Sequence, residues 1–270
     1  MATANPLLQA WAEGRTTYGL WCTMPGSVSA EFIARQGLDY VCVDYQHGLI
    51  DHTVGVPMMQ GIQAGGSNPI ARVGWNEPAR IMAVLDAGAY GVVVPMVNNA
   101  AEAAAAVAAC RYPPAGMRSY GPVRAKDVHG TADPDGLTDV ACIVMVETAD
   151  GIRNVEEIAA TEGVAGIYIG PSDLALAMGL RPNHNPPDRE FLQVIDGIKA
   201  ACHRHAIAAG IQAANGEIAA RHTDEGFDMI TVASDAAVLT AAVRGHLATA
   251  KAGAGGAAPS APDRLPAGNY

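Results

Sequence analysis

The sequence lacks an excess of positive charge. It contains 17 Lys and Arg residues against 27 Asp and Glu residues, which gives a formal net charge of -10 over 270 residues. Proteins that bind nucleic acid neutralise phosphates with Lys and Arg, so this balance argues against a nucleic-acid partner. An anionic substrate would therefore need a local cation or a bound metal.

Long apolar runs and closely spaced cysteines are missing as well. The N-terminus has no basic region followed by an apolar run, and the most apolar later stretch, residues 81–97, is interrupted by Asp86 and by Gly and Pro. We therefore expect no secretory signal, no membrane span and a cytoplasmic location. An odd number of widely spaced cysteines predicts buried reduced thiols, with one reactive thiol as the alternative. The five are Cys22, Cys42, Cys110, Cys142 and Cys202.

The sequence does contain a regular alternation of apolar runs and Ala-rich or amphipathic stretches of helical length. The runs are continuously apolar, as in parallel strands that are covered by helices. Eight strands, each followed by a helix, predict an α/β fold of the (β/α)8 or TIM-barrel type in a single domain. The runs are residues 18–22, 40–45, 69–73, 91–95, 142–147, 166–170, 207–212 and 229–234.

The domain organisation follows from composition. No linker interrupts the chain before residue 250, so residues 1–250 are predicted to form the barrel. Residues 251–270 are rich in Gly, Ala and Pro and have little to bury, which predicts a disordered tail. The Pro- and Gly-rich segment from Arg111 to Gly136 lies between the fourth and fifth predicted strands. A loop of this length in a compact barrel is usually functional.

Polar side chains stand at the ends of several predicted strands. Asp44 and His47 follow the second strand, Arg72 ends the third, Glu147 ends the fifth, and Asp173 follows the sixth. The C-terminal ends of all strands meet on one face of such a barrel, and that face carries the chemistry. We therefore expect these residues to be neighbours.

Glu147 and Asp173 are the candidate metal ligands. They follow adjacent strands, and Mg²⁺ or Mn²⁺ typically takes one or two protein carboxylates and leaves its other positions to water and substrate. The alternative for each acid is a helix N-cap, since each precedes a predicted helix.

His47 and Arg72 are the candidate catalytic residues. An imidazole with an unperturbed pKa of about 6.5 can transfer protons near neutral pH, although a histidine after a strand can also be an ordinary loop residue. An arginine at the end of an apolar strand needs an anionic partner, which a carboxylate or enolate substrate would supply.

Several ordered motifs together resemble the HpcH/HpaI family of metal-dependent class II pyruvate aldolases, which includes 2,4-dihydroxyhept-2-ene-1,7-dioate aldolase. They are GLDYVCVDYQHG, LDAGAYGVVVPMV, RYPPAGMRSYG, ETADG and GVAGIYIGPSDLALAMG, and the similarity extends from about Tyr18 to the last strand. The resemblance implies a carbon-carbon lyase that reversibly cleaves a 4-hydroxy-2-oxoacid to pyruvate or hydroxypyruvate and an aldehyde. The reaction would pass through a metal-bound enolate, with Mg²⁺, Mn²⁺ or Co²⁺ as cofactor.

The resemblance also implies roles for individual residues. Arg72 would stabilise the enolate oxygen, His47 would be the general base, and Asp86 would raise the proton affinity of that base. The metal ligands would be Glu147 and Asp173. Substrate-binding residues would be Asp44, Gly170, Pro171, Ser172 and Asp173. Family members are typically homo-hexamers, trimers of dimers with an exchanged C-terminal helix, which would correspond here to residues 235–250.

The chain departs from the family pattern at two positions, and other functions stay open. Met145 stands where many members have Gln, and Gln46 where they tend to have Glu, so the 2-oxoacid and the aldehyde are not fixed. Candidates for contacting the aldehyde are Arg118, Ser119 and Tyr120, unless they only form a turn. The alternatives are a CoA-thioester lyase of the malyl-CoA or citramalyl-CoA type, a 2-oxoacid decarboxylase or tautomerase, and a non-catalytic binding barrel.

Overall fold

Eight parallel strands close into a barrel in the order in which they occur along the chain. The computed structural model describes residues 4–253. This architecture confirms the predicted (β/α)8 barrel, and each predicted apolar run overlaps one strand. The strands are β1 (Thr17–Cys22), β2 (Tyr40–Asp44), β3 (Asn68–Arg72), β4 (Gly91–Val94), β5 (Ala141–Val146), β6 (Gly166–Ile169), β7 (Ala208–Gln212) and β8 (Met229–Ser234).

Helices surround the barrel, and several begin at an Asn or Asp whose side chain accepts a hydrogen bond from the first turn, as Asp51 does from the Val54 N–H. They are α1 (Pro6–Ala12), α2 (Ser27–Ala34), α3 (His52–Ala64), α4 (Pro78–Asp86), α5 (Ala100–Cys110), α6 (Ala125–Val128), α7 (Pro134–Leu137), α8 (Ala149–Arg153), α9 (Val155–Ala159), α10 (Pro171–Ala177), α11 (Arg189–Arg204), α12 (Gly216–Asp224) and α13 (Asp235–Gly253).

The middle of the barrel is filled by aromatic side chains. The hydroxyls of Tyr40 and Tyr168 both contact the Thr231 hydroxyl, at 2.9 and 2.6 Å, and all three residues are buried. The Trp21 ring stacks on Tyr168 with 5.3 Å between ring centroids. Gly19 leaves room for this packing, because a Cβ there would lie 2.2 Å from the Tyr40 ring. The middle of the barrel is therefore filled, and a pocket lies at its C-terminal mouth.

Strand β8 contains an irregularity beside β1. Gly19 pairs with Thr231, but the next residue, Leu20, pairs with Ala233, so β8 has one extra residue at this point. Such a bulge shifts the alternation of inward and outward side chains by one position. As a result both Thr231 and Ser234 belong to the inner side of the barrel, Thr231 in the buried middle and Ser234 at the mouth.

The first and last strands are also joined through Asp235, the first residue of α13. Its carboxylate accepts hydrogen bonds from the Thr23 N–H at 2.9 Å, the Thr23 hydroxyl at 2.7 Å and the Met24 N–H at 3.0 Å. Asp235 is itself buried. The loop after β1 is thus fixed to the start of α13 at the edge of the mouth.

Beyond its first turn, α13 is exposed along its length to residue 252. The predicted tail from residue 251 begins within this helix, and residues 254–270 lie outside the described part of the chain. The assignment of residues 1–250 to one domain stays a prediction. Within residues 4–253, no helix has the length and apolar character needed to cross a membrane. All five cysteines are buried and free, as predicted. Burial raises the pKa of Cys42, whereas a hydrogen bond with Cys110, together with burial, raises the pKa of Cys142.

Candidate active site

The mouth of the barrel is a pocket at the C-terminal ends of the strands. Four of the acids and bases expected at this face, Asp44, Arg72, Glu147 and Asp173, line it together. The other lining residues are Trp21, Thr23, Met145, Gly170, Pro171, Ser172, His184, Gln212 and Ser234. The pocket thus collects residues that are distant in the sequence, because every strand of a parallel barrel ends on the same face.

Asp44 and Arg72 form a buried ion pair at adjacent strand ends. The β2 and β3 register places them opposite each other. Arg72 donates from Nε to Asp44 Oδ1 at 2.9 Å and from Nη2 to Oδ2 at 2.7 Å, and its guanidinium lies 4.4 Å from the centre of the Trp21 ring. Burial alone would lower the pKa of Arg72, but the hydrogen bonds and charge of Asp44 outweigh it and raise that pKa. The guanidinium is therefore held charged and in one orientation.

Asp44 also shapes the turn that carries His47. Its Oδ1 accepts from the Gln46 N–H at 3.0 Å and from the His47 N–H at 3.4 Å. His47 is exposed and is not among the residues that line the pocket. Its pKa is lowered by partial burial and by the charge of Arg72, against the opposing charges of Asp44 and Asp173. A lowered pKa keeps the imidazole neutral at pH 7, the form that can accept a proton.

Glu147 is a buried carboxylate with one unused oxygen. Its Oε1 accepts a 2.9 Å hydrogen bond from the Met96 N–H, while its buried Oε2 receives no hydrogen bond from the described residues. The side chain is only 2% exposed. Burial raises the pKa of the Glu147 carboxyl to about 7, against the opposing effect of the Met96 N–H. Met96 has a φ of 58°, a left-handed conformation rare for a non-glycine residue, and such residues cluster at functional sites.

Glu147 and Asp173 fit a hard divalent cation. The charge of Asp173 contributes to the raised pKa of Glu147, so the two carboxylates face the same space. A cation would compensate the negative charges of both carboxylates and would bind to the unused Oε2 of Glu147. Residues 4–253 contain no group of three or more His, Cys, Asp or Glu side chains that could hold a metal. Two carboxylates are nevertheless enough for a cation that keeps water and substrate as its other ligands.

Gly170 makes room for Glu147, and this leads to a first prediction. A Cβ at residue 170 would lie 2.4 Å from Glu147 Oε2 and 2.9 Å from the Met145 methyl group. The Gly170→Ala substitution should therefore displace Oε2 and weaken Mn²⁺ binding by roughly tenfold or more, as loss of ligand orientation typically does. Calorimetric titration with Mn²⁺ measures this affinity.

The matched control is Gly197→Ala in α11, where a Cβ would meet no atom within 4 Å. We expect this variant to bind Mn²⁺ as the original protein does. Equal affinities for all three proteins would contradict a cation at Glu147.

Asp86 does not lie beside His47 within one chain, and the role inferred for it stays a prediction. It ends α4 and therefore lies near the start of β4, at the end of the barrel opposite the mouth. Its carboxylate accepts a 2.7 Å hydrogen bond from Arg118 Nη2. It is absent from the charges that shift the pKa of His47. Within one chain, Asp86 thus partners an arginine rather than a base.

Arg118, Ser119 and Tyr120 likewise lie away from the mouth within one chain, and their expected contact with the aldehyde stays a prediction. Their loop follows α5 and leads into β5, and a loop from a helix to a strand lies at the N-terminal end of the barrel. Arg118 is 1% exposed and donates to the Leu137 carbonyl at 3.1 Å, and the Tyr120 hydroxyl donates to the Ala132 carbonyl at 2.9 Å. Ser119 is exposed beside them.

Several residues of the site did not stand out in the sequence. Met96 contributes a backbone N–H, for which a sequence has no signal. Ser234 reaches the mouth only because of the bulge in β8. Gln212 ends a predicted strand and Trp21 is the penultimate residue of another, so their positions alone could have marked them as candidates by the same rule that marked Arg72.

Comparison with known proteins gives matches over most of the chain. The sequence model of the family described as HpcH/HpaI aldolase/citrate lyase matches residues 17–242. A relative named hydroxypyruvate/pyruvate aldolase, from Rhizorhabdus wittichii, is 38% identical over 249 residues, which is 92% of this chain and 99% of the relative. A 4-hydroxy-2-oxo-heptane-1,7-dioate aldolase from Escherichia coli is 35% identical over 242 residues, 88% of this chain and 92% of the relative.

A solved structure shows the same fold. The crystal structure of an HpcH/HpaI aldolase/citrate lyase family protein from Burkholderia cenocepacia superposes with a TM-score of 0.83 at 31% sequence identity. The similarity covers 92% of this chain and 99% of that one.

Proposed function

Because the chain belongs to the HpcH/HpaI aldolase/citrate lyase family, we propose that its mouth is the active site of a divalent-metal-dependent pyruvate aldolase. The proposed reaction is the reversible cleavage of a 4-hydroxy-2-oxoacid to an aldehyde and pyruvate or hydroxypyruvate. One observation carries the proposal: the fixed guanidinium of Arg72 and the unused oxygen of Glu147 line one pocket. The guanidinium and a cation held by Glu147 would present two positive centres to the adjacent keto and carboxylate oxygens of a 2-oxoacid.

Glu147 and Asp173 would hold the cation, and the neighbouring residues would position the 2-oxoacid beside it. When bound, Mg²⁺, Mn²⁺ or Co²⁺ supplies a Lewis acid that favours negative charge on the keto oxygen. Gly170, Pro171 and Ser172 line the same side of the pocket, at the turn between β6 and α10. Backbone N–H groups at that turn can contact the carboxylate of the substrate.

Arg72 would stabilise the charge that develops during cleavage. When the bond between C3 and C4 breaks, its electrons move onto the C2 oxygen and form an enolate. Asp44 fixes the guanidinium before the reaction begins, so no reorientation is needed as the charge appears. Fixed dipoles and charges of this kind stabilise a transition state more than mobile ones do.

His47 would be the general base. In cleavage it accepts the proton of the C4 hydroxyl, directly or through one water, and the oxygen then forms the carbonyl of the leaving aldehyde. In the reverse direction it returns that proton to the new hydroxyl. Its place in the turn held by Asp44, which lines the pocket, and its lowered pKa support this role.

The test of the proposed function is exchange of the pyruvate methyl protons in D₂O, followed by NMR. The protein is stripped of metal with a chelator and then supplied with Mg²⁺, Mn²⁺ or Co²⁺. We expect exchange only after a cation is added, because enolate formation needs charge stabilisation at the keto oxygen. If neither pyruvate nor hydroxypyruvate exchanges with any of these cations, the aldolase assignment is wrong.

Assays with other substrates separate the alternative functions. A CoA-thioester lyase would act on malyl-CoA or citramalyl-CoA, and a decarboxylase would release CO₂ from oxaloacetate without consuming an aldehyde. The names of the relatives favour the aldolase.

We also propose that the protein forms a homo-hexamer of the family type, with α13 contributing to contacts between subunits. Its large apolar side chains are exposed in the single chain, where water rather than protein would cover them. They are Val238, Leu239, Val243 and Leu247. Sedimentation analysis measures the oligomeric state and so tests this proposal. The cytoplasmic location expected from the sequence stays a prediction.

A further inference from the structure

The proposed roles use only part of the mouth. The ion pair is at β2 and β3, and the metal ligands are at the ends of β5 and β6. The remaining wall is formed by three consecutive strands of the closed barrel, β7, β8 and β1. Their contributions are Gln212, Ser234 and Trp21, all of which line the pocket. A 2-oxoacid would occupy the space between the cation and Arg72. The aldehyde half of the substrate would then lie against this remaining wall.

The three side chains of the wall have unused hydrogen-bonding groups. The Trp21 indole N–H is buried and has no acceptor among residues 4–253. In the same part of the chain, the Gln212 amide makes no side-chain hydrogen bond, and the Ser234 hydroxyl accepts only a long 3.4 Å contact from the Ala237 N–H. A buried donor without an acceptor costs free energy unless a ligand satisfies it. The wall is therefore built for a polar ligand.

The bulge in β8 supports this interpretation. Without the extra residue, alternation from Thr231 would place residue 233 inward, and that residue is an alanine. The bulge instead directs Ser234 to the mouth, level with Trp21, its partner in β1. Bulges next to active sites commonly re-aim a side chain in this way.

The wall is polar but uncharged. The charged Lys, Arg, Asp and Glu residues that line the described pocket are Asp44, Arg72, Glu147 and Asp173, so Arg72 is the one Lys or Arg among them. Asp44 already occupies its Nε and Nη2. A second carboxylate at the far end of the substrate would therefore find no Lys or Arg side chain on the wall to pair with.

We propose that Trp21, Gln212 and Ser234 form the binding wall for the aldehyde half of the substrate, and that this half is a short hydroxylated aldehyde without a carboxylate. The inference rests on the proposed aldolase function, which it makes more specific. The hydroxyl groups of such an aldehyde would accept from the indole N–H and exchange hydrogen bonds with the amide and the serine.

The experiment measures kcat/KM for aldehyde addition to pyruvate with Mg²⁺. Three aldehydes are compared: glyceraldehyde, which is hydroxylated and neutral; propanal, which has the same carbon chain without hydroxyls; and succinate semialdehyde, which carries a carboxylate. We expect glyceraldehyde to exceed both others by about tenfold or more, since a wall built to bind hydroxyls discriminates against analogues without them. The Gln212→Leu and Ser234→Ala substitutions should each lower the ratio of glyceraldehyde to propanal by about three- to tenfold, the effect of one lost hydrogen bond.

Gln193→Leu, at an exposed position of α11, is the matched control and should keep the ratio of the original protein. A preference for succinate semialdehyde, or an unchanged ratio in both wall variants, would overturn the inference. If the variants do not fold, the preference of the original protein among the three aldehydes tests the inference by itself. Pyruvate exchange in D₂O distinguishes failure of the aldolase proposal from failure of the proposed aldehyde-binding wall. Absence of exchange refutes the aldolase function, whereas exchange without the expected aldehyde preference refutes only the role of the wall.

Discussion

Glu147→Gln is expected to slow metal-dependent exchange of the pyruvate methyl protons by roughly three orders of magnitude. The amide keeps the shape of the side chain and can still accept from the Met96 N–H, but it removes the negative charge that attracts the cation. Loss of several kcal/mol of charge stabilisation corresponds to this factor, at about 1.4 kcal/mol for each tenfold change. NMR in D₂O measures the rate at several concentrations of Mg²⁺.

Excess cation should restore part of the activity, because Asp173 stays in place as a second carboxylate. Asp173→Asn should behave similarly, and Glu162→Gln, at an exposed residue between α9 and β6, should leave the rate unchanged. A rate for Glu147→Gln close to that of the original protein would refute the role of Glu147 as a metal ligand.

His47→Ala should reduce the rate of retro-aldol cleavage by about two to four orders of magnitude while Mn²⁺ binding is retained. This range is the usual contribution of a positioned general base. In the original protein the rate should fall as the pH is lowered through the pKa of His47, because protonation removes the base. Since that pKa is lowered by burial and Arg72, the fall should be centred below pH 6.5.

The matched control for this experiment is His52→Ala, an exposed histidine at the first turn of α3. It should show the rate and the pH profile of the original protein. An unchanged pH profile in His47→Ala would assign the titration to another group and remove His47 from the mechanism.

The sequence was sufficient to predict the barrel because its strands are continuously apolar and separated by helices of regular length. The resemblance to the HpcH/HpaI family is confirmed, and with it the class of reaction. The strand-end rule also brought Asp44, Arg72 and Glu147 to the same face, since that rule depends only on the direction of the strands.

The same rule explains what could not be predicted. The long segment from Arg111 was expected to be functional because of its length and composition, and three of its residues were candidates for contacting the aldehyde. It follows a helix and so lies, within one chain, at the other end of the barrel. Asp86 was assigned by resemblance alone, which does not say where the end of α4 lies. The unusual φ of Met96 and the bulge in β8 arise from three-dimensional packing, so neither has a local signal in the sequence.

The carboxylate of Asp235 has a consequence for biosynthesis. Its hydrogen bonds to Thr23 join residues that are 212 positions apart, at the seam where β8 closes against β1. Contacts between such distant residues carry a large loop-closure cost and form slowly. While the chain is being synthesised, β1 has only β2 as a partner, and its other edge stays open until nearly the whole protein has emerged. The edge of β1 is therefore an open strand edge at which the incomplete chain can aggregate before folding is complete.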